Sequence, residues 1–212
     1  DSHGVELSFA LAKSEIGFKG VKQLTFSACA PLINDKNRTP GCSNWLRQSL
    51  VYISSEKSIQ TVFLVFRLPY HINTYSEEIN KVSAFLEDYK RLIAQLLAAG
   101  KEVVLVYPVP ELPLSAEKLI VPFSIFSDIP KVVYGETNAE YWSRNAKIVE
   151  QLNIIVDELD NGRLFLLNPY NAFCDVSNCK AMKNGEAFYF DDNHLSLGGA
   201  DVLVEEYLKR FR

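Results

Sequence analysis

A chain of 212 residues, 48% hydrophobic and 23% charged, is long and apolar enough for one domain with a filled core. Its net charge of -4, with Lys and Arg scattered rather than clustered, excludes the electrostatic footprint of a nucleic-acid or anionic-membrane binder. No run approaches the roughly 18 apolar residues of a membrane span, and a start at Asp1 without the layout of a signal peptide suggests an excised piece with its targeting or membrane parts upstream.

In chain order, the frequent apolar residues from Val5 to Ile16 predict a helix ending near Gly17, with Ser2 at its N-terminus, where free N–H groups and the helix dipole favour developing negative charge. Lys22 to Phe26 is short and β-prone, and a loop from Ser27 follows, continuing through the polar stretch Asn34 to Gly41. Ser43 is expected to cap a helix carrying Trp45, Leu46, Leu50 and Ile53. Thr61 to Phe66 is an unbroken apolar run of the kind found in a strand buried on both faces, and it ends at Arg67-Leu68-Pro69-Tyr70-His71.

Thr74-Tyr75-Ser76-Glu77 has the form of a capping box before a long amphipathic helix that Gly100 stops. Val103 to Tyr107 reads as a second buried strand, and 111–131, with three more prolines, as an irregular insertion with one helical turn. Thr137-Asn138-Ala139-Glu140 opens another helix to about Asp160, and Arg163 to Leu167 is the next strand. Asn168 to Lys180 reads as a loop, Ala187 to Phe190 as a short extended piece, and Val202 to Leu208 as a closing helix. Strands alternating with long helices predict a parallel sheet covered on both faces, within a single domain spanning 1–212. A strand expected before Ser2 is absent from the chain and would lie upstream of Asp1.

The four cysteines form two local pairs, Cys29 with Cys42 and Cys174 with Cys179. Disulfides, and hence an oxidising compartment, are the expected reading. Buried thiols are the alternative, and a metal site is disfavoured because the three histidines lie far from the cysteines in sequence.

Asp191 and His194 are three residues apart just before the last helix, a spacing that lets the carboxylate orient one ring nitrogen and leave the other as a base. Ser2 supplies a nucleophile, in the order Ser, Asp, His. Taken singly, a Ser at a helix start is most often a cap and an Asp-x-x-His most often a solvated turn. Asp192 competes with Asp191, but its spacing from His194 is less favourable. His3 and His71 receive no role.

Together, Asp1-Ser2-His3, a cysteine-bearing loop after the second strand, and the late Asp-Asp-Asn-His-Leu-Ser stretch resemble the SGNH hydrolase superfamily, in the form fused to acyltransferase-3 membrane proteins that O-acetylate bacterial surface polysaccharides. The resemblance spans the whole chain. It implies a flavodoxin-like three-layer α/β sandwich with a central parallel sheet of about five strands. It also implies a triad of Ser2, Asp191 and His194, with Ser2 as nucleophile. The superfamily takes further oxyanion donors from a Gly after the second strand and an Asn after the third. The first position corresponds here to Ser27 or Ala28, and the second to Arg67, followed by Leu68 where the acyltransferase-fused kind often carries Trp. Arg67 then either stabilises the oxyanion or a substrate carboxylate, or forms a structural ion pair.

The expected function is O-acetyl transfer to a hydroxyl of a polysaccharide such as the O-antigen of lipopolysaccharide. The resemblance implies an upstream acyltransferase-3 membrane domain as partner, acetyl-CoA as the ultimate acetyl source, no bound cofactor and no metal. The domain would be periplasmic or otherwise extracytoplasmic and tethered to the membrane. The alternatives are a carbohydrate acetylesterase using the same triad, and a non-catalytic glycan-binding module.

Overall fold

A computed structural model describes residues 1–14, 20–33, 39–75, 79–120, 130–159 and 161–211. The helices are α1 (Gly4–Lys13), α2 (Cys42–Ser55), α3 (Leu68–Tyr75), α4 (Ile79–Ala98), α5 (Ala116–Leu119), α6 (Asn138–Leu159), α7 (Pro169–Phe173) and α8 (Leu197–Leu208). The strands are β1 (Thr61–Leu64), β2 (Glu102–Val106), β3 (Val132–Thr137), β4 (Leu164–Leu167), β5 (Asn178–Lys183) and β6 (Glu186–Ala187). No described helix is long and apolar enough to cross a membrane. The chain divides into two compact units: Asp1–Gly4 with Leu24–Tyr107 and Lys147–Leu167, and Val5–Gln23 with Pro108–Ala146 and Asn168–Arg212.

The first unit holds a parallel sheet in the order β1-β2-β4, with Val62 opposite Val103 and Val104 opposite Phe165. Its central strand buries Val103, Val104, Leu105 and Val106, which is why that run is apolar without alternation. Leu46 and Leu50 of α2, Phe85, Tyr89, Leu92, Ile93 and Leu96 of α4, and Leu152 and Ile155 of α6 complete the core. The α4 residues recur at helical spacing, and each such side chain contributes about 1.5–3 kcal/mol by leaving water. Gly100, at φ 81°, ends α4, with its N–H on the Leu97 carbonyl and the Lys101 N–H on that of Leu96.

The α/β architecture is as the alternation implied, but the parallel sheet has three described strands rather than five. Residues 21–26, expected as a strand from Lys22 to Phe26, carry no regular secondary structure. Gly4, at the start of α1, lies between them and β1's continuation: a Cβ there would sit 3.5 Å from Thr25 and 3.7 Å from Val65. The helix expected to start at Ser43 begins one residue earlier, after Gly41 in the left-handed conformation, so Ser43 is buried in the first turn instead of capping it. The Arg67–His71 stretch, read as a strand ending, enters α3, and Pro69 fits near that helix's start because no helical N–H is needed there. The Thr74–Glu77 capping box falls partly on 76–78, and the expected end of α1 near Gly17 on 15–19. Both stretches lie outside the described residues, as do 34–38 of the first loop and 121–129 of the insertion.

The second unit holds an antiparallel sheet in the order β3-β5-β6, which the sequence pattern did not predict. The loop expected at Asn168–Lys180 contains α7 and the start of β5. Asn168 caps α7 by accepting the Tyr170 N–H at 3.1 Å, with Pro169 behind it. The single helical turn expected in the insertion is α5. The Thr137–Glu140 capping box forms as expected: Glu140 accepts the Thr137 N–H at 2.7 Å, and Thr137 Oγ1 accepts the Glu140 N–H at 3.2 Å. Both cysteine pairs are disulfides, Cys29–Cys42 in the first unit and Cys174–Cys179 in the second. Closing these loops stabilises the fold through the unfolded chain, by about 2–3 kcal/mol each.

Candidate active site

The Asp191–His194 turn belongs to the second unit, and it is built as a tight hairpin. Tyr189 and Leu195 form an antiparallel bridge, and the Phe190 N–H donates to the His194 carbonyl at 3.2 Å. Ser196 then caps α8 by accepting the Gly199 N–H at 3.0 Å, and its hydroxyl donates to the Ala187 carbonyl at 2.6 Å. Gly199 permits this approach, because a Cβ there would lie 2.1 Å from the Phe188 carbonyl oxygen. From outside the hairpin, the Leu112 and Ala116 N–H groups donate to the carbonyls of Asp192 (2.7 Å) and Asp191 (3.1 Å). The insertion thus braces the turn.

Within the hairpin, Asp191 Oδ1 accepts the N–H groups of Asn193 (2.8 Å) and His194 (2.6 Å), while Oδ2 lies 2.7 Å from His194 Nδ1. Burial pulls the Asp191 carboxyl upward, but these two N–H donors and the His194 ring outweigh it and hold it below the usual carboxylate range. An ionised carboxylate can only accept, so Nδ1 carries the proton, and the neutral imidazole then has its lone pair on Nε2. Asp192 is exposed and binds the Asn193 side chain instead of the imidazole. The Phe190 ring stacks on His194 with centroids 5.3 Å apart.

Ser2 belongs to the first unit, in the turn that leads into α1. Asp1, which sequence reasoning left without a role, organises that turn. Its main-chain nitrogen donates to the Val65 carbonyl at 3.0 Å, placing Ser2 at the C-terminal end of the parallel sheet, where α/β ligand sites gather. Its carboxylate accepts the His3 N–H at 3.1 Å, the Arg67 N–H at 3.0 Å, and His71 Nε2 at 2.8 Å. His71 is 2% exposed, and burial, followed by nearby positive charge, holds its ring down to about 3. A proton on His71 would pair with Asp1, yet burial outweighs that gain, so the ring is neutral and donates from Nε2. No side-chain pattern signals this arrangement in the sequence, because Arg67 reaches Asp1 through its main-chain N–H and His71 lies 70 residues away.

Of the expected oxyanion residues, Arg67 has its main-chain N–H committed to Asp1, and its guanidinium lies over the Tyr70 ring at 5.7 Å. That N–H is therefore not an oxyanion donor in this arrangement. Ser27 and Ala28 form an exposed turn, and the Ala28 carbonyl accepts the Thr39 hydroxyl at 2.7 Å. Ala28 has φ 52°, a left-handed conformation that Gly adopts without strain. Ala28→Gly is accordingly expected to stabilise the protein by about 1 kcal/mol, raising Tm by about 2–4 °C in calorimetry; an unchanged or lowered Tm would contradict a strained turn.

Among the described residues, no group of three or more His, Cys, Asp and Glu side chains is arranged to hold a metal. No curated protein matches the chain. A solved structure that it resembles is the periplasmic domain of a lipopolysaccharide acetyltransferase from Salmonella ser. Paratyphi A. The two share 18% identity and a TM-score of 0.65 over 97% of this chain and 77% of that one. The family model described as "SGNH domain (fused to AT3 domains)" matches residues 1–209, and the chain therefore belongs to that family.

Proposed function

We propose that this domain is an O-acetyltransferase acting on a hydroxyl of a bacterial surface polysaccharide, with Ser2, His194 and Asp191 as its triad. The observation that carries the reading is the Asp191–His194 pair: an ionised carboxylate fixes Nδ1–H and leaves Nε2 as a base. In the first half-reaction His194 takes the Ser2 proton while Ser2 Oγ bonds to the acetyl carbonyl carbon, and the proton then passes to the departing donor group. In the second, His194 takes the proton of the sugar hydroxyl, whose oxygen bonds to the acetyl carbon. The Ser2 Oγ–acetyl bond breaks, and Ser2 recovers a proton from His194. Ala28 N–H is the preferred oxyanion donor, and Ser27 and the Arg67 side chain are secondary candidates.

Family membership supports an acyltransferase-3 membrane domain as the source of the acetyl group, with acetyl-CoA as its ultimate origin. The likeness to a lipopolysaccharide acetyltransferase domain supports a polysaccharide acceptor such as an O-antigen, and the two disulfides support a periplasmic or other extracytoplasmic position. The test is to incubate the domain with an activated acetyl ester and hydroxyl acceptors and to follow both products by mass spectrometry. Acetylated acceptor is the expected result. Free acetate alone would make the domain an esterase, and no turnover above background would leave a glycan-binding module.

A further inference from the structure

Phe190 is a large apolar side chain left 58% exposed beside Asp191. A lone exposed Phe is ordinary on a protein surface. This one is held in place twice: its N–H pairs with the His194 carbonyl, and its ring stacks on the His194 imidazole at an interplanar angle of 25°. The Tyr189–Leu195 bridge and the buried Tyr189 anchor the residue before it, so the ring is presented by the same hairpin that holds Asp191 and His194.

The centroid separation of 5.3 Å exceeds a face-to-face contact of about 3.5–4.0 Å, so the two rings are slipped past one another and the imidazole covers only part of the Phe190 face. A flat body resting on the uncovered part of that face lies beside the imidazole and close to its plane. The lone pair of a ring nitrogen points in that plane. An acceptor ring seated there can therefore present a hydroxyl edge-on to a base, which is the approach that proton transfer from a hydroxyl needs.

We propose that Phe190 is the stacking platform for the acceptor, and that its ligand is a pyranose ring whose C–H face lies on the phenyl ring while a hydroxyl meets His194. The inference rests on the acetyl-transfer reading and adds to it the chemical class and seat of the acceptor. The phenyl group also displaces water from one side of the imidazole, which favours a bound hydroxyl over water as the group that takes the acetyl.

The experiment measures product ratios, which do not depend on how much of a variant is active. The domain is given p-nitrophenyl acetate and equal hydroxyl concentrations of glycerol and a panel of methyl pyranosides, and acetyl-pyranoside, acetyl-glycerol and acetate are quantified. The wild type is expected to favour at least one pyranoside over glycerol by about five- to ten-fold, the factor one aromatic contact contributes. Phe190→Ala should bring that ratio towards one, and Phe190→Trp should keep it. A wild type that acetylates pyranosides no better than glycerol would overturn the proposal while leaving transfer intact. So would a Phe190→Ala variant whose products all fall together with the ratio unmoved, the signature of a ring that merely steadies the hairpin. Acetate as sole product from every mixture would sink the transferase reading, and this proposal with it.

Discussion

Replacing Ser2 or His194 by Ala is expected to lower acetyl-ester turnover by about a thousand-fold or more, and the double variant should be no worse than either single one. The non-additivity is the diagnostic, because a nucleophile and its base act as one unit. Asp191→Asn should fall into the same range for a different reason. The amide can still accept the His194 main-chain N–H, but its NH2 group would face Nδ1–H, forcing the imidazole into the other tautomer and removing the base from Nε2. Burst-phase assays with an activated ester, alongside thermal melts to show that each variant folds, give the comparison. A Ser2→Ala variant that retains turnover would remove Ser2 from the mechanism.

The second large effect is on stability in mild acid, through His71. Its folded value, near 3, lies below the ordinary value of about 6.5. Between those values the unfolded chain binds a proton that the folded chain refuses, so stability declines as pH falls from about 6.5 and is fully present only above it. The slope attributable to this one group approaches about 1.4 kcal/mol per pH unit. His71→Gln can still donate an N–H to Asp1 but cannot titrate, and its urea midpoint should change less between pH 7 and pH 5 than that of the wild type. Equal declines in the two proteins would show that His71 is not the group responsible. Asp191 acts in a lower window, since its depressed carboxyl contributes stability that is lost only as pH falls through its own folded value, below the ordinary carboxylate range.

The parts of the site that are local in sequence were legible in advance. Asp191 and His194 meet because three residues of turn bring a carboxylate onto a ring nitrogen, and the Thr137–Glu140 capping box forms for the same kind of reason. The apolar run at β2 announced a strand covered on both faces, which has no polar side to show, whereas β1 buries only alternate residues and β4 leaves Leu166 exposed. What escaped notice depended on pairing between distant segments. The β3–β5 ladder joins residues some 45 positions apart (Thr137 with Asn178 and Tyr134 with Lys180), and nothing in either short stretch names its partner. Conversely, residues 21–26 have strand-like composition but join no regular ladder, and the start of α1 packs against Thr25 and Val65.

Composition, spacing and resemblance by themselves thus determined the class of fold, the cysteine pairing and the contact of Asp191 with His194, and offered Ser2 as the nucleophile candidate. Only the tertiary structure decided that Asp1 ties the Ser2 turn to Val65, Arg67 and His71, and that this engagement turns the Arg67 N–H away from an oxyanion role. It also decided that Ala28 carries the left-handed turn, and that Phe190 lies exposed on the His194 ring. The physical reason is common to all four. A hydrogen bond within a turn is encoded by its own few residues, whereas a donor 66 residues away, a backbone angle held by its surroundings, or a ring left in solvent by the packing of everything else exists only once the chain has closed on itself.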